Sequence, residues 1–304
     1  MTGDRTGRDV QPRDGAQARD GVQEGDPGEP RLEILPDADS AARAAATLLA
    51  ATLSAAVRAR GRADWATTGG STVVPIYGYL ARPPLRDQVP WDRVHVWWGD
   101  DRFVPRDHPL SNRLPFDDGL LNAAGRSGES GTGAAGIDVE LGTLPGVPLP
   151  VRNVHGMPID DAIAGGSPDS AAQAYEAELQ SAPLERDSAG VPILDVILVG
   201  VGADGHVLSV FPGSPLLGSP AWVAGVPAPE HVEPHVARVS LSPRFLAATR
   251  LPLAVVLGGA KAAIVAAVLG GPRDAARYPA QLARRGGAVW VLDEAAAAQL
   301  PRGA

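Results

Sequence analysis

The chain has 304 residues and a formal net charge of −8, so no basic surplus exists to neutralise phosphates and a general nucleic-acid binder is excluded. It contains no cysteine, which excludes disulfides, thiolate zinc sites and cysteine nucleophiles. The length is that of one large α/β domain or two small ones. The longest apolar stretches are broken by Gly, Pro or charge short of a membrane span, and no apolar leader is visible, so the expectation is a soluble cytoplasmic chain with no membrane partner.

Residues 1 to about 30 are rich in Gly, Asp, Arg, Gln and Pro and nearly free of large apolar side chains. Such a segment cannot bury enough surface to offset its ordering entropy and reads as a disordered tail, leaving 31–304 as a single α/β domain. Residues 38–60 are Ala-rich with Leu and Val at helical spacing and predict a long helix. Residues 64–68 predict a short strand ending in Gly69 and Gly70, after which Ser71 or Thr72 can cap a helix to about Leu80. Residues 94–98 predict a buried strand, followed by Gly99, Asp100 and Asp101; 112–122 predicts a helix with Pro115 in its first turn. The Gly- and Ser-rich stretch at about 123–150 reads as an insertion. Beyond it, 170–180 predicts a helix, 193–200 a buried strand, 253–257 another, 260–269 a helix and 288–292 a last strand before an Ala-rich helix.

Repeated strand-then-helix units with continuous apolar strands predict a parallel sheet covered on both faces, with ligands at the carboxyl ends of its strands. The notable residues gather there. In "TTGGSTVVP", Gly69 and Gly70 let a ligand approach the backbone, and Ser71 and Thr72 add hydroxyls at a helix N-terminus, a place suited to a phosphate monoester. The Lys and glycine spacing of a Walker loop are missing. In "WWGDDRFVP", Arg102 can hold a phosphate or stabilise an oxyanion, and Asp100 and Asp101 can orient a water, the arginine or a sugar hydroxyl; a surface ion pair is the simpler alternative. In "LGGAKAAIV", Lys261 in the first turn of a helix opposes the helix dipole, which makes sense if it meets a bound anion.

"VILVGVGADGHVLSVFPGSP" spells G-x-G-x-x-G through Gly200, Gly202 and Gly205. A dinucleotide site wants an acidic residue on the next strand about twenty positions on, and that place falls in the Pro-rich "VAGVPAPEHVEPH". What remains is His206 on a Gly-flanked turn, a candidate general base that Asp204 can polarise. His231 and His235 are four apart, but Pro234 spoils the helix such a metal pair needs. Ser209 and Ser214 lie outside any G-x-S-x-G elbow.

Together, "TTGGSTVVPIYGYL", "VHVWWGDDRFVPRDHPLSN", "LDVILVGVGADGHVLSVFPGSPLL", "RVSLSPRFLAATRLPLAVVLGGAKAAIV" and "YPAQL" resemble the 6-phosphogluconolactonase family, in the family's order and from about residue 32 onward. The resemblance implies an α/β, Rossmann-like three-layer fold with a mostly parallel central sheet and helices on both faces, shared with glucosamine-6-phosphate deaminases. It implies hydrolysis of 6-phosphogluconolactone, a small sugar-phosphate lactone, with no metal and no cofactor. The expected assembly, a monomer or weak homodimer, does not rest on the resemblance. Deaminases follow the histidine with an Ile-Ala-Phe-Asn-Glu-Pro-like run; here the run through Phe211, Pro212 and Gly213 looks like the lactonase version. The chain departs from the lactonase pattern at Val207 and Leu208, where Thr-Ala is usual, at Asp101 for Glu, and at Ala247 for Asn. Leu208 and Ala247 are the changes expected to reshape the pocket.

The reading that follows has Gly69, Gly70, Ser71, Thr72 and Lys261 hold the 6-phosphate. His206 draws a proton from water, Arg102 or backbone N–H groups meet the developing oxyanion, and Asp100 and Asp204 orient the others. The alternatives are a glucosamine-6-phosphate deaminase/isomerase and a non-catalytic sugar-phosphate binder.

Overall fold

The computed structural model describes residues 28–121, 131–132, 138–139 and 146–301. The tail expected over 1–30 lies outside the described residues except at its end, where Glu29 is already part of the fold, paired with Arg284 at 2.7 Å and Arg273 at 2.9 Å. Most of the expected insertion also lies outside them.

Twelve strands are present among the described residues: β1 (Arg31–Leu35), β2 (Ala63–Thr67), β3 (Val94–Trp98), β4 (Asp100–Arg102), β5 (Gly131–Thr132), β6 (Asp138–Val139), β7 (Val154–His155), β8 (Val196–Val199), β9 (Val223–Val226), β10 (Arg238–Leu241), β11 (Leu251–Val256) and β12 (Val289–Asp293). Seven form one sheet in the order β1-β12-β11-β8-β2-β3-β7, every pair parallel. β2, β8 and β12 are buried along their whole length, as expected where helices lie on both sides. β5 and β6 make a separate two-stranded ladder.

The aromatic residues mark the two faces. Trp65 and Trp98 project to one face, where Phe116 packs against both rings and Tyr77, on the helix Val73–Leu80, packs against Trp65 and Phe116. Trp97, one residue from Trp98, projects to the other and meets Tyr175 of the helix Pro168–Ser181. The Tyr175 hydroxyl accepts the Trp98 N–H at 2.9 Å and so ties that helix to β3.

The helix Ala38–Arg60 forms as predicted. Asp37 caps it by accepting the Ser40 N–H at 2.7 Å, and Gly61, in the left-handed region at φ 74°, ends it. Its small Ala41, Ala42, Ala45 and Ala46 bring it close to the sheet, with Leu49 and Leu53 fully buried beside them. Each such leucine contributes roughly 1.5–3 kcal/mol by burial. Length and composition alone would let this helix cross a bilayer, contrary to the expectation from the sequence, but half of its most apolar window is buried inside the protein.

Three other expectations need correction. Thr72 opens the helix Val73–Leu80 without a side-chain cap bond, so the predicted hydroxyl cap is not made there. The helix expected over 112–122 is one α-turn, Leu114–Phe116, widening into a π-turn, Asp117–Leu121. The C-terminal helix is only Glu294–Ala297, started by Asp293. Neither β1 nor the small antiparallel sheet β4-β10-β9 is predicted from the sequence.

The chain leaves β2 in one direction, toward β3 and β7, then returns to β8 on the other side and continues through β11 and β12. The crevice at the carboxyl ends of β2 and β8 is therefore the topological switch point, the usual ligand position in such sheets.

Candidate active site

A cavity of about 410 Å³ opens at that crevice, within the range of small-molecule sites. Gly69, Gly70, Ser71 and Thr72 line it from the end of β2, Asp100 and Arg102 from β4, His206 from the loop after β8, and Lys261 from the turn after β11. Eight of the nine residues singled out from sequence thus face one space, and the ninth, Asp204, touches His206 directly.

The His206 loop is closed on itself. Gly202 N–H donates to the His206 carbonyl at 2.9 Å, and Gly205 N–H to the Gly202 carbonyl at 3.0 Å. A Cβ on Gly202 would stand 2.0 Å from His206 Nδ1 and 2.6 Å from Asp204 Oδ1, so only glycine leaves room for the ring. Gly205 sits at φ 86° and its carbonyl accepts the Ala280 N–H at 2.8 Å, which is how "YPAQL" supports this loop. The glycine spacing that imitates a dinucleotide motif here serves to fold a histidine onto an aspartate. The region where a dinucleotide acid would stand is not in the central sheet: it contains β9 of the small antiparallel sheet and the connection after it.

Asp204 Oδ1 accepts from His206 Nδ1 at 2.5 Å and from the His206 N–H at 3.1 Å. This fixes the tautomer with the proton on Nδ1 and leaves Nε2 as the basic nitrogen. Burial alone would raise the Asp204 carboxyl, but bonds from His206 and His231 outweigh it and hold the group well below the usual carboxylate range.

Asp100 and Asp101 are buried, which rules out the surface ion pair. Asp100 accepts the Ser209 hydroxyl at 2.7 Å and, at 3.3 Å, the Thr68 hydroxyl and the Asn112 amide. Asp101 points the other way along β4. It accepts the Asn112 N–H at 2.6 Å, the Arg102 N–H at 2.7 Å and the Ser111 hydroxyl at 3.3 Å. Burial pushes its carboxyl up to about 7 against those bonds, and it holds the loop rather than the cavity.

β10 adds what sequence reasoning missed. Arg238 pairs directly across the ladder with Arg102, and both line the cavity. Like charges opposite each other are unfavourable in a ladder. Arg102 Nη1 donates to the Leu110 carbonyl at 2.8 Å and Arg238 Nη2 to the Pro234 carbonyl at 3.1 Å, while both Nε atoms are buried without a partner. Lys261 Nζ donates to the Val201 carbonyl at 2.7 Å; burial lowers its ammonium pKa, countered by Asp204. Three cations in one cavity suit an anionic ligand. Asn112, whose amide also donates to the Asp100 carbonyl at 2.8 Å, is another lining residue that the sequence reading missed.

Among the departures, Leu208 lines the cavity and is the only non-glycine among the described residues in the left-handed region, at φ 55°. Ala247 is exposed on the helix Pro243–Ala248 and lies outside the cavity lining, so the expectation that it reshapes the pocket is not met. His231 and His235 lie on a connection rather than a helix and turn to different partners, Asp204 and the Pro229 carbonyl.

A sequence model of the family described as glucosamine-6-phosphate isomerases/6-phosphogluconolactonase matches residues 36–291. The chain belongs to that family. Within this isomerase/lactonase family it is 34% identical over 277 residues to a 6-phosphogluconolactonase of Streptomyces coelicolor, covering 90% of this chain and 95% of that one. The solved 6-phosphogluconolactonase of Trypanosoma brucei superposes with a TM-score of 0.72 at 23% identity, covering 90% of this chain and 100% of that chain. A monomeric glucosamine-6-phosphate deaminase superposes at 0.64 with 15% identity, over 88% and 99%. The fold is therefore the one the two branches of the family share.

Proposed function

We propose that the chain hydrolyses 6-phospho-D-glucono-1,5-lactone to 6-phospho-D-gluconate, a step of the oxidative pentose phosphate route. The observation that carries this reading is the His206–Asp204 pair opening on the same cavity as Arg102, Arg238 and Lys261, in a chain whose 34%-identical relative is a lactonase over 90% of its length.

In this reading His206 Nε2 takes a proton from water as the water oxygen attacks the lactone carbonyl carbon. Asp204 stabilises the imidazolium that forms. Negative charge gathers on the carbonyl oxygen, where Arg102 or backbone N–H groups meet it, a contribution of about 3 kcal/mol for one donor. The bond from the carbonyl carbon to the ring oxygen then breaks, and His206 returns the proton to that oxygen, which becomes a hydroxyl. The new carboxylic acid ionises and releases one proton. Gly69, Gly70, Ser71, Thr72 and Lys261 hold the 6-phosphate, and Asp100 fixes the loops around it. A lactone is already an activated ester, so positioning and one general base suffice, with no metal and no cofactor in the step. The same proposal has residues 31–304 act as one cytoplasmic domain, a monomer or weak homodimer, with no nucleic-acid or membrane partner.

The test is an assay on freshly made lactone, corrected for spontaneous hydrolysis, with glucosamine 6-phosphate as the second substrate. His206→Ala should lower kcat roughly a hundredfold or more, and Lys261→Ala should raise KM. Ammonia release from glucosamine 6-phosphate with no lactonase turnover would overturn the reading, and normal kcat in His206→Ala would overturn the base.

A further inference from the structure

Asp204 holds two histidines, not one. Its Oδ1 is occupied by His206 Nδ1 at 2.5 Å, and its Oδ2 accepts His231 Nε2 at 3.0 Å. His231 belongs to the connection between β9 and β10, residues 227–237, whose Val232 and Glu233 form part of the cavity wall. Its imidazole also meets the edge of Phe211, at 5.8 Å between centroids, and Phe211 in turn packs against the His206 ring at 4.7 Å. A second fastening of this connection to the site is Arg238 Nη2 on the Pro234 carbonyl, with the Arg238 guanidinium over the Phe211 ring at 5.0 Å, and at its end the Ala237 carbonyl accepts the Phe103 N–H at 2.7 Å.

We infer that His231 is a positioning residue for lactone hydrolysis: by donating to Asp204 Oδ2 it fixes the carboxylate that orients His206, and it holds the Val232–Glu233 wall against the cavity. The inference rests on the reading of His206 as the base. A carboxylate bonded through one oxygen can swing about its Cβ–Cγ bond. One bonded through both, by donors on separate segments, cannot swing without breaking a charge-assisted bond. Fixing it removes rotation from His206, and freedom in a catalytic group is what lowers effective concentration at the reacting atom. The groups facing His231 are Asp204 and Phe211, with His206, Arg238 and Lys261 behind them; Glu230, Glu233 and His235 stand on its own connection. Glu233 pairs with His235 at 3.0 Å and not with His231. His231 is half-exposed, so its substitution leaves no buried void.

The experiment measures kcat and KM on the lactone for wild type, His231→Ala, His231→Gln, His206→Ala and the His206→Ala/His231→Ala double variant, with thermal melting of each. His231→Ala should lose about tenfold in kcat through misorientation of His206 and should raise KM through the loosened wall. His231→Gln, whose amide can still donate to Oδ2, should recover most of kcat. In the double variant the loss should be that of His206→Ala alone, because His231 acts through His206. Unchanged kcat and KM in His231→Ala would overturn the inference. So would a further kcat loss from His231→Ala in the His206→Ala background, or equal losses in the Ala and Gln variants. Normal activity in His206→Ala would instead bring down the base reading beneath it, so the two failures are distinct.

Discussion

The Ser209 hydroxyl donates to Asp100 Oδ2 at 2.7 Å, joining the segment after His206 to the start of β4 across 109 residues of chain. Both groups are buried. Ser209→Ala leaves a buried carboxylate oxygen short of a donor, at a cost of about 1–3 kcal/mol. Urea unfolding should report that loss. Because Asp100 also holds Asn112 and Thr68 at the cavity, kcat/KM should fall several-fold, with KM taking the larger share.

Gly202→Ala tests the room made for the imidazole. The added methyl would stand 2.0 Å from His206 Nδ1, and the ring must leave Asp204 to avoid it. The expected outcome is a kcat loss close to that of His206→Ala. A residue placed beside a side chain rather than in the core should cost stability only modestly, and circular dichroism should report an intact fold.

The two aspartates give opposite pH signatures. Asp101 is raised to about 7 in the folded protein by burial, above its unfolded value, so its contribution to stability is full in acid and lost as pH rises through about 7. Asp204 is lowered, so its contribution is present above the unfolded carboxylate value and lost as pH falls toward its folded one. Asp101→Asn keeps the acceptors for the Arg102 and Asn112 N–H groups and should stabilise the protein at pH 8 relative to wild type while matching it near pH 4. Denaturation at pH 4, 6 and 8 checks the sign.

Leu208→Gly relieves a left-handed backbone, worth about 1–2 kcal/mol, and deletes a buried isobutyl group worth roughly 1.5–3 kcal/mol. The two nearly offset, so the melting temperature should fall by only a few degrees. The cavity gains the volume of the side chain, and KM for the lactone should change more than stability does.

The parts of this molecule legible in its sequence are those governed by local rules. The 23-residue helix Ala38–Arg60 has its apolar period inside the segment and its aspartate cap and terminal glycine, Asp37 and Gly61, directly beside it. β8 and β11 are continuous apolar runs, and the residues at the carboxyl ends of the central strands follow from the α/β pattern. The rest depends on pairings far apart in the chain. β4 is three charged residues, Asp100–Arg102, and becomes a strand only because β10 lies beside it. The sequence reading assigns Arg238 neither a strand nor a role; its place in the cavity comes from the register that sets it opposite Arg102. The only available signal was an arginine opening the alternating run "RVSLS", and nothing local distinguishes that from a surface strand. His231 is still less visible, since its partner is 27 residues away on another loop.

β2 and β8 meet through few ladder pairs, and the Asp64 N–H reaches Asp195 Oδ2 at 2.8 Å over 131 residues of chain. The cavity is the gap between these two strand ends, so one half of its wall comes from residues 68–112 and the other from 200–261. Neither half owns a site. Turnover on the lactone is therefore a measure of long-range closure: in refolding from urea, far-UV signal from helices such as Ala38–Arg60 can return early, while activity must wait for the slowest of the distant pairings. The enzyme carries its own assay for the last stage of its folding.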